Sequence, residues 1–516
     1  MQVVPIASGV RPDGVPIMTA KTTLRASVLS GMRWTAGSKA LGQLFAWLGT
    51  FLVVRLLSPQ DYGVIAVGGF FIVYLLLLSE GGLSDALVRT TAPTRRLLEE
   101  VQGVLYLING GSCIALAAAS PLIASYFHEP RLREVLPALS VQFLIVSVGI
   151  IPTARLKSEF RFKELSSIDL VQTVLVTLVT IVCALLGLGV WSLVISNLFG
   201  LLLRAVLLIR ATGEFHRPRF HFQEARALSR FSGYVLLEQT AWHIFANADA
   251  MIVSKLLGIQ ATGLYAVANN LASLPANKLS GTFAKLALPA FVQIMDDRQR
   301  MFQAYLKGLR LIAVVAFPIG FGLAAVATPA IAVALGPRWS AATPVFAILT
   351  LAVPFRLITM LDPGLLLALG LPKAMLQNRL AGLLLLLVFL IVGALQMGLT
   401  GIALAWVVAA PTVWIATAAW NCRRLGWRLS SLLNVATRPL AASILMYLSV
   451  LLAERELAAH DAPSAVRLVL EMALGAGIYT IVTLLIDRPT FMEAWLLTRD
   501  LLRRSAPKTA TESTAS

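Results

Sequence analysis

The stretch Arg55–Val67, "RLLSPQDYGVIAV", recurs in degraded form at Lys255–Val267 as "KLLGIQATGLYAV". The two copies align without a gap at an offset of 200 residues (255 − 55), and Gly81 and Gly281 keep the same spacing. The glycine inside each copy permits a tight return of the chain, and the basic residue at its start can anchor a helix end at a membrane interface. The motif therefore predicts that one helical hairpin occurs twice.

Two further sequence matches between the two halves of the chain follow in the same order. The segment "PLIASYFHEPRL" from Pro121 matches "PAIAVALGPRW" from Pro329, and its Pro-Arg pair at Pro130 recurs at an offset of 207 residues (337 − 130). A weaker match pairs "GLGVWSLV" near Gly189 with "GLTGIALA" near Gly401. Chance similarity between apolar segments can explain one such match. Three matches in one order indicate an internal duplication.

The composition places the duplicated chain in a membrane. Of the 516 residues, 58% are hydrophobic and only 13% are charged, and the mean hydropathy is +0.79. The apolar runs are about twenty residues long, which is the length a helix needs to cross a bilayer. Strands of alternating polarity are absent from the pattern. We predict an all-α polytopic membrane protein with about fourteen transmembrane helices.

Lys and Arg alternate between the connecting loops. One alternate set of loops holds 22 of these residues and the other holds seven. Because cytoplasmic loops carry the Lys and Arg excess, this alternation predicts an even number of spans with both termini in the cytoplasm. Topology then explains much of the net charge of +17, and no nucleic-acid partner is needed. The N-terminal region lacks the apolar core of a signal peptide, and the three cysteines form neither a disulfide framework nor a metal site.

The duplication and the spans together predict the domain organisation. Each copy contains six spans, so the two lobes enter the membrane in the same direction, face one another and enclose a cavity open to alternate sides. No phosphate-binding GxxxxGK[ST] loop occurs, so an ion gradient is the expected energy source. The predicted segments are a cytoplasmic N-terminal tail (1–30), an N-lobe (31–210), a cytoplasmic inter-lobe loop (211–230), a C-lobe (231–422), two extra helices (438–487) and a cytoplasmic tail with a disordered end (488–516).

Several ordered motifs resemble a known family. They are "WTAGSKALGQLFAWLGTFLVVRLLSPQDYGVIAV", "LSEGGLSDALVR", "ARLKSEFRFKEL" and "NADAMIVSKLLGIQATGLYAVANNLASLP". Together they are similar to the polysaccharide exporters, the Wzx-type flippases of the multidrug/oligosaccharidyl-lipid/polysaccharide (MOP) superfamily. The resemblance covers residues 30 to 485 and implies two six-helix bundles in a V shape around a central cavity.

The resemblance also implies a function without an enzymatic reaction or a cofactor. A flippase of this type translocates undecaprenyl-diphosphate-linked oligosaccharide repeat units across the bacterial inner membrane for exopolysaccharide, capsule or O-antigen synthesis. Its partners would be the lipid-linked glycan, a coupling ion (H⁺ or Na⁺), membrane lipids, and a polysaccharide polymerase with its chain-length machinery. An alternative is a small-molecule or multidrug cation-coupled antiporter on the same scaffold. A membrane-embedded glycosyltransferase is disfavoured because no long extracytoplasmic loop could hold a catalytic carboxylate pair.

Basic residues inside predicted spans are candidates for binding the diphosphate. Charged groups in mid-membrane are costly and usually face a cavity, and phosphate oxygens prefer Arg or Lys. Lys278 and Lys285 are seven residues apart and share one helix face, and the deeper pair, Lys278 and Arg356, is preferred. Lys285 and Arg310 could instead extend to the cytoplasmic interface. The full set of candidates is Lys278, Arg356, Lys285, Lys39 and Arg310.

Acidic residues on the seventh predicted span are candidates for ion coupling. Glu238 and Asp249 are eleven residues apart on one face, with Asn247 nearby, and the Asn-x-Asp pattern resembles the family. Asp249 is predicted to bind a proton or cation, and its alternative role is a structural hydrogen bond or ion pair. His243 is expected to be packed or hydrogen-bonded. No metal site is predicted.

The tryptophans of the predicted spans have two interpretations. Trp is typical of the interfacial belts of membrane proteins, and its ring also stacks on sugars. The belt is the preferred interpretation for the following residues: Trp191, Trp242, Trp339, Trp406, Trp414 and Trp420.

Overall fold

A computed structural model describes residues 41–80, 94–214, 216–220, 233–460 and 462–486, together with residues 37 and 492. Within residues 79–80, 233–238 and 278–286 it describes the backbone only. All regular secondary structure in the described ranges is helical. The chain divides into two compact units, Met1–Leu236 and Leu237–Ser516.

The first unit contains seven described helices. In chain order they are α1 (Leu41–Leu56), α2 (Pro59–Glu80), α3 (Arg95–Phe127), α4 (Leu132–Ser140), α5 (Gln142–Ser158), α6 (Phe162–Leu185) and α7 (Val190–Thr212). Prolines lie inside α3, α4 and α5.

The second unit contains nine described α-helices. They are α8 (Gly233–Leu257), α9 (Ile259–Val292), α10 (Arg298–Ala325), α11 (Ala327–Ala334), α12 (Thr343–Ile358), α13 (Asp362–Ala368), α14 (Pro372–Leu425), α15 (Leu429–Ala459) and α16 (Ser464–Ile486). Short 3-10 turns, Pro337–Ala342 and Thr359–Leu361, precede α12 and α13.

The fold is that of a multi-pass membrane protein. Among the described residues, ten helices are long and apolar enough to cross a membrane. The helix α8 contains Glu238 and Asp249 of the seventh predicted span, and α14 is interrupted at Gly398, whose φ and ψ are not helical. The all-helical class is thus confirmed, and the number of fourteen spans stays a prediction.

The internal repeat is visible in the local backbone of the two units. In the first unit Glu159, the residue after α5, has φ −82° and ψ 2°, and the next residue, Phe160, has a φ of +56°. In the second unit Leu369 has the same conformation (φ −82°, ψ 0°) and the next residue, Gly370, has a φ of +68°. Glycine adopts this left-handed conformation easily, whereas Phe160 adopts it with strain.

A second recurrence involves a rarer conformation. Gly189, before α7, has φ 54° and ψ −129°, and Gly398, within α14, has φ 59° and ψ −132°. A Cβ on Gly393 would clash with the carbonyl of Gly401, and one on Gly401 would clash with the carbonyl of Gly393. The two halves of α14 therefore meet backbone to backbone at this bend.

The helix ends recur as well. Thr94 caps α3 by accepting a hydrogen bond from the amide of Leu97, and Asp297 caps α10 by accepting one from the amide of Arg300. At the last repeated helix of each unit, Gly213 and Gly426 both end the helix in the left-handed conformation. These side-chain and glycine caps satisfy backbone groups that the helix cannot pair.

The two helices beyond the repeat, α15 and α16, pack against α10 within the second unit. Ala442, Met446 and Val450 of α15 form a buried cluster with Ala325 of α10 and Tyr479 of α16. The Tyr479 hydroxyl also donates a 2.8 Å hydrogen bond to the carbonyl of Val314 in α10.

The Arg-rich end of the first unit is held by ion pairs. Arg155 pairs with both Glu159 and Glu214. The amide of Arg219 donates to the carbonyl of Glu99 at 2.9 Å, and the Arg219 guanidinium pairs with the Glu99 carboxylate at 3.0 Å. The start of the predicted inter-lobe loop is thereby fastened to α3 and α5.

Candidate functional site

A buried carboxylate lies where three helices of the second unit meet. Asp249 of α8 is 1% exposed. Its Oδ2 accepts a 2.5 Å hydrogen bond from the Tyr265 hydroxyl of α9 and a 2.9 Å bond from the Trp406 indole of α14. The same indole N–H lies 3.0 Å from the Tyr265 hydroxyl oxygen. We call Asp249, Tyr265 and Trp406 the Asp249 cluster.

A guanidinium group lies over the face of the Trp406 ring. The Arg356 Cζ is 4.6 Å from the ring centroid, which is a cation–π distance. Its Nη1 is 3.4 Å from Oδ1 of Asn269 on α9, and its charge interacts with Asp249. Arg356 is only partly buried. Trp406 thus donates a hydrogen bond to the Asp249 carboxylate from its indole N–H and contacts the Arg356 guanidinium with its ring face.

An aromatic series extends from Trp406 to a second arginine. Phe245 packs edge-on to Trp406 at 6.0 Å between centroids and stacks on Trp242 at 6.0 Å. The Arg379 guanidinium lies 4.3 Å from the Trp242 centroid and 5.3 Å from that of Phe245. We call Arg356, Trp406, Phe245, Trp242 and Arg379 the aromatic–guanidinium array.

A second aspartate–tyrosine pair lies near Arg379. Oδ1 of Asp362, at the start of α13, accepts a 2.5 Å hydrogen bond from the Tyr305 hydroxyl. Asp362 is 9% exposed and Tyr305 is 2% exposed, and the charge of Arg379 interacts with Asp362. Each arginine of the array therefore has a buried aspartate within electrostatic range.

The arrangement can perform two tasks. A carboxyl group with two side-chain donors in an apolar environment can hold or release a proton, or bind a cation, when its surroundings change. Half-buried guanidinium groups fixed on aromatic faces can bind phosphate oxygens while losing little side-chain entropy. Among the described residues, no group of three or more His, Cys, Asp and Glu side chains could hold a metal ion.

The predicted phosphate ligands fall into different environments. Arg356 joins the Asp249 cluster, whereas Arg310 is exposed on α10. Lys278 and Lys285 lie on the α9 backbone, but their side chains are outside the described residues, as is Lys39 altogether.

The predicted ion-coupling residues also separate. Asp249 is the centre of the cluster, while the Asn247 amide nitrogen donates to the carbonyl of His243 within its own helix. The Glu238 side chain is outside the described part of α8. His243 is 4% exposed, as expected for a packed residue.

Sequence reasoning missed Tyr265, Phe245 and Arg379. Tyr265 had a signal, since it stands in the repeated motif where the first copy has Ile65. Arg379 is among the 22 Lys and Arg residues of the basic loop set, and its position in the sequence does not mark it as a site residue. The belt interpretation is wrong for three tryptophans that are almost completely buried, namely Trp339, Trp406 and Trp414.

The fold corresponds to that of MOP-superfamily transporters. A structure of the lipid II flippase MurJ in an inward closed conformation matches 91% of this chain and 99% of its own, with a TM-score of 0.70 at 15% identity. An inward-facing MATE-family multidrug transporter of the MOP superfamily matches 75% of this chain and 94% of its own, with a TM-score of 0.57 at 13% identity. At these identities the likeness concerns the fold alone.

The chain belongs to the polysaccharide biosynthesis protein family, whose sequence profile matches residues 52–344. The succinoglycan biosynthesis transport protein ExoT of Rhizobium meliloti (strain 1021) is 26% identical over 510 residues, covering 96% of this chain and all of ExoT. The lipopolysaccharide biosynthesis protein WzxC of Escherichia coli (strain K12) is 23% identical over 338 residues, covering 63% of this chain and 67% of WzxC. The resemblance to the Wzx-type branch is confirmed.

Proposed function

We propose that this protein is a flippase that moves undecaprenyl-diphosphate-linked oligosaccharide repeat units from the inner to the outer leaflet of a bacterial inner membrane. The exported units would serve exopolysaccharide, capsule or O-antigen synthesis, and a polymerase with its chain-length machinery would receive them. Both termini would lie in the cytoplasm, as the Lys and Arg alternation predicts. The protein would carry out no covalent chemistry.

The observation that carries the proposal is the connection of Asp249 to Arg356 through one tryptophan. Arg356 is exposed enough to contact a diphosphate, whereas Asp249 is buried. A change in the charge of Asp249 alters the electrostatic environment of Arg356 and the hydrogen bonds that fix Trp406. Ion binding at the carboxylate could therefore alter phosphate affinity at the guanidinium, which is the reciprocal coupling that driven transport needs.

Other basic residues complete the proposed diphosphate site. Arg379, at the other end of the array, is a further candidate because it too lies on an aromatic face. Lys278 and Lys285 are carried by α9, the helix that also supplies Tyr265 and Asn269. Lys39 and Arg310 remain secondary candidates. Glu238 and Asn247 are proposed to assist Asp249 in ion coupling, with H⁺ or Na⁺ as the ion.

A cation-coupled drug antiporter on the same scaffold is the second candidate. The MATE-family match favours it at the level of fold but leaves a quarter of this chain uncovered. The match to ExoT extends over 96% of the chain, including α15 and α16. We therefore prefer the flippase.

Reconstitution distinguishes the two candidates. Proteoliposomes loaded with an undecaprenyl-diphosphate-linked oligosaccharide in one leaflet would be tested for its appearance in the other leaflet under an imposed proton or sodium gradient. The flippase assignment predicts translocation that requires the protein, and no uptake of cationic dyes. Dye exchange without glycan translocation would support the antiporter.

A further inference from the structure

The first unit has a polar pocket at the end opposite its Arg-rich loops. The pocket lies where α2, α4 and α7 begin and has a volume of about 240 Å³. Its lining consists of Asp61, Arg131, Glu134, Val135 and the stretch Gly187–Trp191. This volume is smaller than the roughly 300–1,000 Å³ typical of sites for drug-sized ligands, so the pocket suits one small ring.

Two charged groups of the pocket, Asp61 and Arg131, are fixed in place by hydrogen bonds. Oδ2 of Asp61 accepts hydrogen bonds from the amide and the hydroxyl of Ser58, at 3.0 and 2.6 Å. Oδ1 of Asp61 lies 3.3 Å from Nη1 of Arg131. The same guanidinium donates to both oxygens of Glu129, at 2.8 and 3.2 Å. A ligand would meet preorganised groups and would not have to order them.

Gly189 allows the chain to pass close to Asp61. Its φ of +54° is unfavourable for other residues, and a Cβ there would lie 3.3 Å from Oδ1 of Asp61. The glycine thus leaves one face of that carboxylate accessible from the pocket. Trp191, two residues later, is partly buried and borders the same space.

The second copy of the repeat retains the bends and loses the acids. In the aligned sequences, Asp61 corresponds to Ala261 at the offset of 200 residues, and at the offset of 207 residues Glu129 corresponds to Gly336 and Glu134 to Ala341. The Pro-Arg pair after Glu129 is present in both copies.

The backbone bend at Gly189 also recurs, at Gly398. The fold therefore forms these turns without any of the three carboxylates. Asp61 and Glu129 are buried and Glu134 is exposed. Only the first copy therefore carries the desolvation cost of two buried carboxylates, and the presence of these acids in one copy indicates a ligand.

The chemistry of the pocket matches a sugar ring. Carboxylates and a guanidinium hydrogen-bond vicinal hydroxyl groups, and an indole face packs against the apolar C–H face of a pyranose. A bare metal cation fits less well because Arg131, which pairs with both Asp61 and Glu129, would place a positive charge beside it. No three-residue metal cluster occurs among the described residues.

We propose that the pocket formed by Asp61, Arg131, Glu134 and Trp191 binds one neutral sugar ring of the transported glycan. This inference rests on the proposed flippase function. The loops around the pocket belong to the set that is poor in Lys and Arg, so the positive-inside pattern places the pocket on the outer side, where the glycan is released.

Saturation-transfer NMR on the full-length protein in nanodiscs tests the pocket directly. The probes are soluble neutral monosaccharides (glucose, galactose and mannose) and a short neutral oligosaccharide. The wild type should give saturable transfer for at least one probe. Trp191→Ala should weaken that binding about tenfold or more, and Trp191→Phe should retain most of it. Glu134→Gln, at an exposed position that holds no other described side chain in place, should also weaken binding without affecting folding.

The matched control is Trp420→Ala in the second unit, where the indole contacts Arg424 and lies outside the pocket. Unchanged binding in this variant, with loss in Trp191→Ala, supports the proposal. Absence of saturable transfer from every probe, or equal binding by Trp191→Ala and the wild type, overturns it. Saccharide binding in a protein that fails to translocate lipid-linked glycan would leave the pocket standing and refute the flippase assignment, so the two failures are distinguishable.

Discussion

Replacement of Trp406 by phenylalanine removes one hydrogen-bond donor from the Asp249 cluster and leaves an aromatic ring in place. The lost indole N–H bonds Asp249 at 2.9 Å and lies 3.0 Å from the Tyr265 hydroxyl. Because the site is almost completely buried, water cannot replace the donor. Such a loss costs about 1–3 kcal/mol, in addition to the cost of the smaller ring.

Trp414→Phe provides a matched control on the same helix. Trp414 is 4% exposed, and its indole nitrogen has no hydrogen-bond partner in the described part of the chain. Both substitutions shrink a buried indole to a phenyl ring, so the difference between them isolates the hydrogen bonds. We expect Trp406→Phe to be the less stable variant by about 1–3 kcal/mol.

The assay is thermal unfolding of the purified protein in one detergent, followed by intrinsic fluorescence. For a chain of 516 residues, the expected difference corresponds to a melting temperature about 1–3 °C lower for Trp406→Phe than for Trp414→Phe. Tyr265→Phe should lower stability too, and the double variant with Trp406→Phe should be non-additive because both side chains bond one carboxylate. Equal melting shifts for the two tryptophan variants would refute the structural role assigned to the cluster.

Three further predictions follow from other parts of the chain. Arg356→Ala and Lys278→Ala should each reduce glycan export about tenfold or more at normal protein abundance, since a lost charge-assisted hydrogen bond costs about 1.5–3 kcal/mol. Lys278→Arg should retain more export activity than Lys278→Ala. Wild-type export by both alanine variants would show that the diphosphate binds elsewhere. Gly370→Ala should lower stability by about 1 kcal/mol because residue 370 has a positive φ, although the new Cβ would meet no clash. Phe160→Gly should leave stability unchanged or raise it by up to about 1 kcal/mol, because glycine adopts the positive φ without strain. The opposite order of melting temperatures would contradict the strain argument. Hydrogen bonds from its arginine partner lower the pKa of Glu129, so its stabilisation is present above about pH 4.3 and is lost as the pH falls through the lowered value. Glu129→Gln should therefore melt slightly below the wild type at pH 7, and the gap should narrow as the pH is lowered. A gap that widened in acid would reverse this sign.

The helical architecture follows from the sequence because its causes are local. Apolar runs of membrane length define the spans, and glycines at positions such as Gly189 and Gly398 mark bends that other residues rarely adopt. The duplication is detectable because each copy needs the same bends. Local signals of this kind do not depend on which distant side chains meet.

The candidate site follows from the sequence only in part, because its contacts join distant segments. Asp249 could be selected as a buried charge in a predicted span, but its donor Trp406 is 157 residues away in sequence. Nothing local distinguishes this buried tryptophan from exposed ones such as Trp420. The same applies to Arg131, whose pairing with Asp61 spans 70 residues.

Gradient-driven and downhill transport by Asp249→Asn tests the central claim most directly. The substitution keeps the shape of the side chain and an oxygen that can accept from Tyr265 or Trp406, and it removes the carboxylate that we propose takes up the coupling ion. Both modes would be measured in the same proteoliposomes with an undecaprenyl-diphosphate-linked oligosaccharide, with and without an imposed proton or sodium gradient. Asp169→Asn, which alters a partly buried carboxylate paired with Arg204 in the first unit, serves as the control. We predict that Asp249→Asn loses the acceleration by the gradient and retains downhill exchange, while the control keeps both. Undiminished gradient-driven transport by Asp249→Asn, or loss of both modes in proportion to the amount of folded protein, would contradict the account.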